Sequence, residues 1–154
     1  MNKCIWLFLI ALISISSCKK EEDQSAIDEQ IIIDYLEANN VTEATRHETG
    51  VYYWVEEEGD GSGIYPRFSS TVRASYRGTL TDGTEFDSNF GDVPTDFQLS
   101  GVISGWQIGM PFFEKGSKGW LYIPSAYAYG RQQVGIIPAN SVLIFEIEVV
   151  NVFD

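Results

Sequence analysis

The stretch Val72 to Ser88, V-R-A-S-Y-R-G-T-L-T-D-G-T-E-F-D-S, constrains the fold more than any other part of this chain. Val72, Ala74 and Tyr76 fall on one face and Arg73, Ser75 and Arg77 on the other, the period-two pattern of a half-buried strand. Asp82-Gly83 is a turn signal, because glycine accepts the positive φ that tight turns need. Glu85, Phe86 and Asp87 bring the chain back, so the segment reads as a β-hairpin. An acid beside an aromatic just past a tight turn is unusual for core packing alone. The hairpin therefore reads as one wall of a binding pocket, and the rest of the chain must supply the other walls.

Further strand patterns follow the same logic. Val51 to Glu56 is β-rich and opens the domain, Phe97 and Leu99 alternate, and Gly119 to Pro124 forms another strand. In the last strand Leu143, Phe145, Ile147 and Val149 share one face, against Ile144, Glu146, Glu148 and Val150 on the other. Ser104 is placed to cap a short helix that runs to Met110 and carries Trp106 in its first turn, with Pro111 marking its end. Ser125 to Ile137 is a long loop that holds Tyr127, Tyr129 and the pair Ile136-Ile137. Near the N-terminus, Ser25 with Asp28 has capping-box spacing, and Ile27, Ile31 and Tyr35, widened by Ile32 and Leu36, make an apolar stripe over a helix that ends near Asn39-Asn40. A helix this short must bury its stripe, on the domain or on a second copy in a homodimer, and both alternatives stand. With no βαβ alternation and no repeat, the class is α+β: an antiparallel sheet, one short central helix and one N-terminal helix.

The first residues serve targeting rather than folding. Lys3 precedes I-W-L-F-L-I-A-L-I-S-I, a run of signal-peptide length and too short to span a membrane comfortably. The I-S-S-C that follows is similar to a bacterial lipobox, with Ile15 where leucine is usual and Cys18 as the lipidated residue. Cys4 lies within the expected signal peptide, so cleavage leaves one thiol, which can form no intramolecular disulfide. The expected organisation is a lipoprotein signal peptide at 1–17, a lipid-anchored tether at 18–25, a helix and linker at 26–49, and the folded domain at 50–154. The expected location is the bacterial cell envelope, on a membrane held by lipid, facing the periplasm or the cell surface. A net charge of −12 disfavours nucleic acid as a partner.

The chemistry is limited by what is missing from the sequence. His47 is the only histidine, with no cysteine or second histidine near it, so nothing in the sequence marks a serine–histidine–acid set or a cluster with metal-ligand spacing. Glycines at 59, 61 and 63 sit among acids with no helix after them, which argues against a phosphate cradle. The chain offers instead aromatic and aliphatic residues at element ends: Tyr76, Phe86, Trp106, Tyr129, Ile137 and Phe145. No cofactor is called for.

The hairpin motif, followed in register by F-Q-L, V-I-S-G-W, A-Y-G, G-I-I-P-A-N-S and L-I-F-E-I-E, resembles the FKBP-type peptidyl-prolyl cis–trans isomerases from about Gly50 to Phe153. The resemblance implies a twisted antiparallel sheet wrapped around a short helix. It also implies a pocket with Trp106 as the floor under a proline ring, walls of Tyr76, Phe97, Val102 and Phe145, and Phe86 at the mouth. By the same resemblance, Ile103 offers a backbone N–H to the ligand and Asp87 a carboxylate to the ligand or nearby hydroxyls. Tyr129 then donates to a ligand carbonyl, and Ile136 and Ile137 form a flap. Implied partners are proline-containing polypeptides, with macrolides as the family's inhibitors. Three departures stand out. Thr95 occupies a place where the family often has an aromatic, the loop Asn89 to Val93 is short and carries no basic residue for Asp87, and the loop Arg131 to Val134 is short. Two other readings remain beside the isomerase of exported proteins: a proline-peptide binding or chaperone module with little catalysis, and a structural lipoprotein that dimerises through the Ser25–Asn39 helix.

Overall fold

The alternation along Val72 and Ala74 buries both side chains in the main core, and Tyr76 continues that face half-buried. The computed structural model describes residues 23–154, and the signal peptide expected at 1–17 and the lipidation expected at Cys18 lie outside the described residues. In chain order the elements are α1 (Gln24–Ala38), β1 (Thr45–Arg46), β2 (Tyr52–Glu57), β3 (Thr71–Thr79), β4 (Glu85–Ser88), β5 (Thr95–Gln98), α2 (Ser104–Gly109), β6 (Lys118–Ile123) and β7 (Leu143–Phe153). All pairings are antiparallel, and the strand order is β1-β2-β6-β7-β3-β4. The free edge of β3 is shared, with β5 pairing its first half and β4 its second.

One face of the sheet encloses the main core. Val72, Ala74, Leu121, Ile123, Leu143, Phe145, Ile147 and Val149 meet Trp106 and Met110 there. Helix α2 lies directly on β6, because a Cβ on Gly105 would run into Ile123 and one on Gly109 into Leu121. The alternation read along β7 holds as far as Val149. At that point a bulge opposite Arg73 and Ala74 leaves Val150 outside and returns Val152 to the core. Arg73 and Arg77 point away from Tyr76, as their alternation requires, and pair with Asp96 and Glu146.

The other face carries α1. Its stripe packs on this chain's own sheet: Ile32 and Leu36 are buried against Tyr52, Tyr122, Val142 and Ile144, with Ile31 and Tyr35 alongside. The helix starts earlier than the Ser25 cap predicts. Asp23 is the N-cap, and its carboxylate accepts from the Ser25 N–H at 3.1 Å. Asp28, predicted as the partner in a capping box, is instead fully buried and bonded to Ser125. His47, in the connection between β1 and β2, is half-buried. Its ring leans on Phe112 at 5.8 Å and its Nδ1 lies 2.9 Å from the Thr49 hydroxyl.

Candidate active site

Four rings dictate the site. Tyr76 on β3 meets Trp106 edge-on at 5.5 Å and Phe97 on β5 at 5.5 Å, and Trp106 meets Phe145 on β7 edge-on at 5.4 Å. Rings prefer this geometry because the positive edge of one faces the negative face of the next. Rigid plates meeting at right angles cannot fill the space between them. They leave a cavity of about 320 Å³ lined by Tyr76, Asp87, Phe97, Gly101, Val102, Ile103, Trp106, Tyr129 and Phe145. Trp106 is only 4% exposed and forms its base from the first turn of α2.

Phe86, Ile136 and Ile137 belong to an adjoining depression of about 420 Å³, which shares Asp87, Tyr129 and Phe145 with the first. The structure thus brings all the predicted pocket residues to one region but divides them between two connected hollows. Phe86 reaches Phe145 edge-on at 5.6 Å across Gly78, where any Cβ would overlap its ring. Of the two flap residues, Ile137 is turned inward at 5% exposure and Ile136 outward at 59%. Thr95 is exposed and does not line the cavity. Its hydroxyl accepts from Asn89 at 3.2 Å.

The polar groups are few and convergent. The Tyr76 hydroxyl donates to Asp87 Oδ2 at 2.5 Å. Burial, with the bond to Asp87 and its charge, raises the Tyr76 pKa above its ordinary value and keeps the phenol a donor. Asp87 has no ion-pair partner among the described residues, in keeping with the absence of a basic residue in Asn89–Val93. The Ile103 N–H and the Tyr129 hydroxyl have no acceptor or donor partner among the described residues, so both are free at the rim. The Ile103 carbonyl accepts from Trp106 N and Gln107 N and starts α2. Ile103, not Ser104, is therefore the N-cap, and no side chain caps the helix. Gln107 provides the local order that Ser104 was expected to give. Its side chain donates to the Val102 carbonyl at 2.7 Å and fixes the turn that presents Val102 and Ile103.

Asn89 is the residue that sequence reasoning missed. β3 has a gap on its free edge between its pairings with β4 and β5, and Asn89 fills it. Its Oδ1 accepts from Tyr76 N at 2.7 Å, its Nδ2 donates to the Ala74 carbonyl at 3.1 Å, and its own N–H donates to the Tyr76 carbonyl at 3.0 Å. One side chain thus holds the backbone that aims Tyr76 at Asp87. The only signal for it in the sequence is an asparagine where the alternation breaks.

Among the described residues the site is lined by no histidine and no thiol, and its one acid, Asp87, accepts from the Tyr76 phenol. It can bind, orient and desolvate, but no residue stands ready to attack or to shuttle a proton. Comparison with known proteins agrees with that geometry. The family described as FKBP-type peptidyl-prolyl cis-trans isomerase matches residues 64–150. The chain is 41% identical over 133 residues to the FKBP-type isomerase FkpA of Aeromonas hydrophila, covering 84% of this chain and 49% of that protein. It is also similar to the crystal structure of FkpA from Escherichia coli, with a TM-score of 0.72, 38% identity, and coverage of 84% of this chain and 61% of that one. A peptidyl-prolyl cis-trans isomerase structure from Pseudomonas syringae matches with a TM-score of 0.71 and 28% identity, over 84% of this chain and 96% of that one. The chain thus spans about half the length of the Aeromonas relative.

Proposed function

The chain belongs to the FKBP-type peptidyl-prolyl cis–trans isomerase family, and from that premise we propose that its ring-walled cavity isomerises Xaa-Pro bonds in polypeptides. The observation that carries this reading is the cavity itself: a base and walls of aromatic rings joined by Val102 and Ile103, unpaired donors at the rim, and no histidine or thiol among the described residues that line it. The bond before proline resists rotation by roughly 18–20 kcal/mol, because resonance gives it double-bond character. The planar amide is charge-separated and the twisted one is less so. An apolar, water-poor site therefore binds the twisted form better than the planar one, which is catalysis by differential binding. Each ~1.4 kcal/mol of difference gives about tenfold in rate.

Roles follow from position. Trp106 supports the proline ring, while Tyr76, Phe97, Val102 and Phe145 exclude water around it. The Ile103 N–H and the Tyr129 hydroxyl hold the substrate's carbonyls. Asp87, kept in place by Tyr76, accepts from substrate N–H groups, and Phe86, Ile136 and Ile137 border the chain that flanks proline. The substrates are proline-containing polypeptides. A lipid on Cys18 would place them among exported proteins of the bacterial envelope, and macrolides that enter the cavity would inhibit.

A protease-free isomerisation assay on Xaa-Pro peptides, with the full chain and its Trp106→Ala and Asp87→Ala variants, tests the proposal. Acceleration by the wild type that is lost in the Trp106 variant, with circular dichroism unchanged, is the expected result. A folded wild type that binds proline peptides and accelerates none of them would leave a binding module in place of an enzyme.

A further inference from the structure

Asp28 is a buried carboxylate that no step above uses. It is 0% exposed and has no ion-pair partner among the described residues. Its Oδ2 accepts from the Ser125 backbone N–H at 2.8 Å and from the Ser125 hydroxyl at 2.6 Å, and its Oδ1 accepts from the Gln24 amide at 2.8 Å. A buried carboxylate is costly unless such charge-assisted bonds satisfy it. On a helix stripe an aliphatic residue would pack with no such cost. The bonds therefore join α1 firmly to a point 97 residues further along the chain.

That point is the base of the loop that carries Tyr129. The Ser125 carbonyl accepts from Ala128 N at 3.0 Å and from Gly130 N at 2.8 Å, and the Gly130 carbonyl accepts from Asn140 N at 2.7 Å. Tyr129 sits between these anchors with its hydroxyl at the cavity rim. The hydroxyl has no partner among the described residues, so the backbone beneath it sets its direction.

We propose that Asp28 is a positioning residue for Tyr129, acting through Ser125, and that α1 is thereby a working part of the isomerase although it lies outside residues 64–150, where the family model matches. The proposal rests on the isomerase reading, so its test has one arm that measures activity and one that does not. In the first arm, Asp28→Ala in the full chain lowers kcat/KM by about three- to tenfold, the scale of one misdirected hydrogen bond. In a Tyr129→Phe background the same substitution changes kcat/KM by less than about twofold, because the hydroxyl it positions is already gone. Asp28→Asn, which keeps an acceptor for Ser125, restores most of the rate. Glu29→Ala, which frees α1 from Arg46 and Tyr52 but leaves Asp28 in place, keeps the wild-type rate. In the second arm, Asp28→Ala speeds hydrogen exchange at the Ala128 and Gly130 amides and leaves the Ile147 amide of β7 unchanged.

Should Asp28→Ala fail to fold, Ser125→Ala, which removes only the hydroxyl's bond, takes its place in both arms. An equal loss of rate in the Tyr129→Phe background, or unchanged exchange at Ala128 and Gly130, overturns the proposal. A wild type with no isomerase activity would overturn the functional reading instead, and the exchange arm would then decide the positioning on its own.

Discussion

Tyr122 and Tyr76 lie on opposite faces of one sheet, and the layers packed against them behave in opposite ways. On the Tyr122 face, Ile32 and Leu36 pack on Tyr52, Tyr122 and Ile144 and all five are buried, with an open depression of about 260 Å³ only at the margin beside Ile31 and Val142. On the Tyr76 face, Trp106, Phe97 and Phe145 meet at steep angles, and about 320 Å³ stays open. The covering helices differ as well. The fifteen-residue α1 buries Asp28, Ile32 and Leu36, whereas the six-residue α2 is drawn onto β6 by Gly105 and Gly109 and brings the Trp106 ring against Tyr76 and Phe145. Flexible aliphatics between a helix and a sheet make a seal. Rigid rings under a short helix make a hole.

The largest effects test that contrast. Trp106→Ala removes the base of the cavity and costs about 3–5 kcal/mol of stability, and kcat/KM falls by at least about tenfold. Ile32→Ala on the opposite face costs a comparable 2–5 kcal/mol or so, yet kcat/KM at a temperature where the protein stays folded remains within about threefold. Urea unfolding together with the peptide assay measures both. Equal loss of activity from the two variants would break the distinction between seal and site.

Asn89→Ala comes next. It leaves the Tyr76 N–H and the Ala74 carbonyl without their partner, at about 1–3 kcal/mol for buried polar groups left unsatisfied. Because those groups belong to the strand that carries Tyr76, kcat/KM falls with stability, and Asn89→Asp, which keeps the acceptor, recovers part of both. A variant that loses stability but not rate would show that Asn89 holds the sheet and not the site.

What could be read in the sequence follows the same division. Periodicity exposed the inner faces of β3 and β7, and the resemblance brought Tyr76, Asp87, Phe97, Val102, Ile103, Trp106, Tyr129 and Phe145 to one place, where the structure gathers them around one cavity. Alternation could not reveal the bulge that turns Val152 inward, because a bulge breaks the period it is read from. The stripe on α1 showed that a partner was needed, but its identity rests on Tyr52, Tyr122 and Ile144, three residues on three other strands. Local spacing assigned Asp28 to a capping box, whereas its actual partner, Ser125, lies far along the chain. Asn89 and Gln107 act through single side-chain bonds to backbone, which leave no periodic trace.

Tyr129→Phe has a smaller effect and sharpens the comparison from the rim. The side chain is 38% exposed and its hydroxyl has no partner among the described residues. Stability should therefore stay within about 0.5 kcal/mol, while kcat/KM drops by about tenfold, the size of one lost hydrogen bond to substrate. Calorimetry and the peptide assay on the same preparation give both numbers. A rate equal to wild type would remove Tyr129 from the site.

The smallest effect separates the two tyrosines themselves. Both phenols are held above their ordinary pKa. For Tyr122 burial comes first, then the influence of Tyr35 and Glu56, and for Tyr76 burial comes first, then Asp87. A raised folded-state value stabilises the protein fully below the unfolded value of about 10, and that contribution is lost as pH rises toward the folded value. Stability should therefore be flat through neutral pH with respect to both groups and decline in strong alkali. Asp87→Asn removes the neighbouring charge and weakens the acceptor for Tyr76, so the Tyr76 value moves down toward the ordinary one while that of Tyr122 stays where it is. Tyrosinate absorbance titrated in Asp87→Asn and in Asp87→Asn with Tyr76→Phe isolates the shift. If Tyr76 titrates at the same pH with and without the Asp87 charge, burial alone sets its value, and the two faces differ in shape but not in electrostatics.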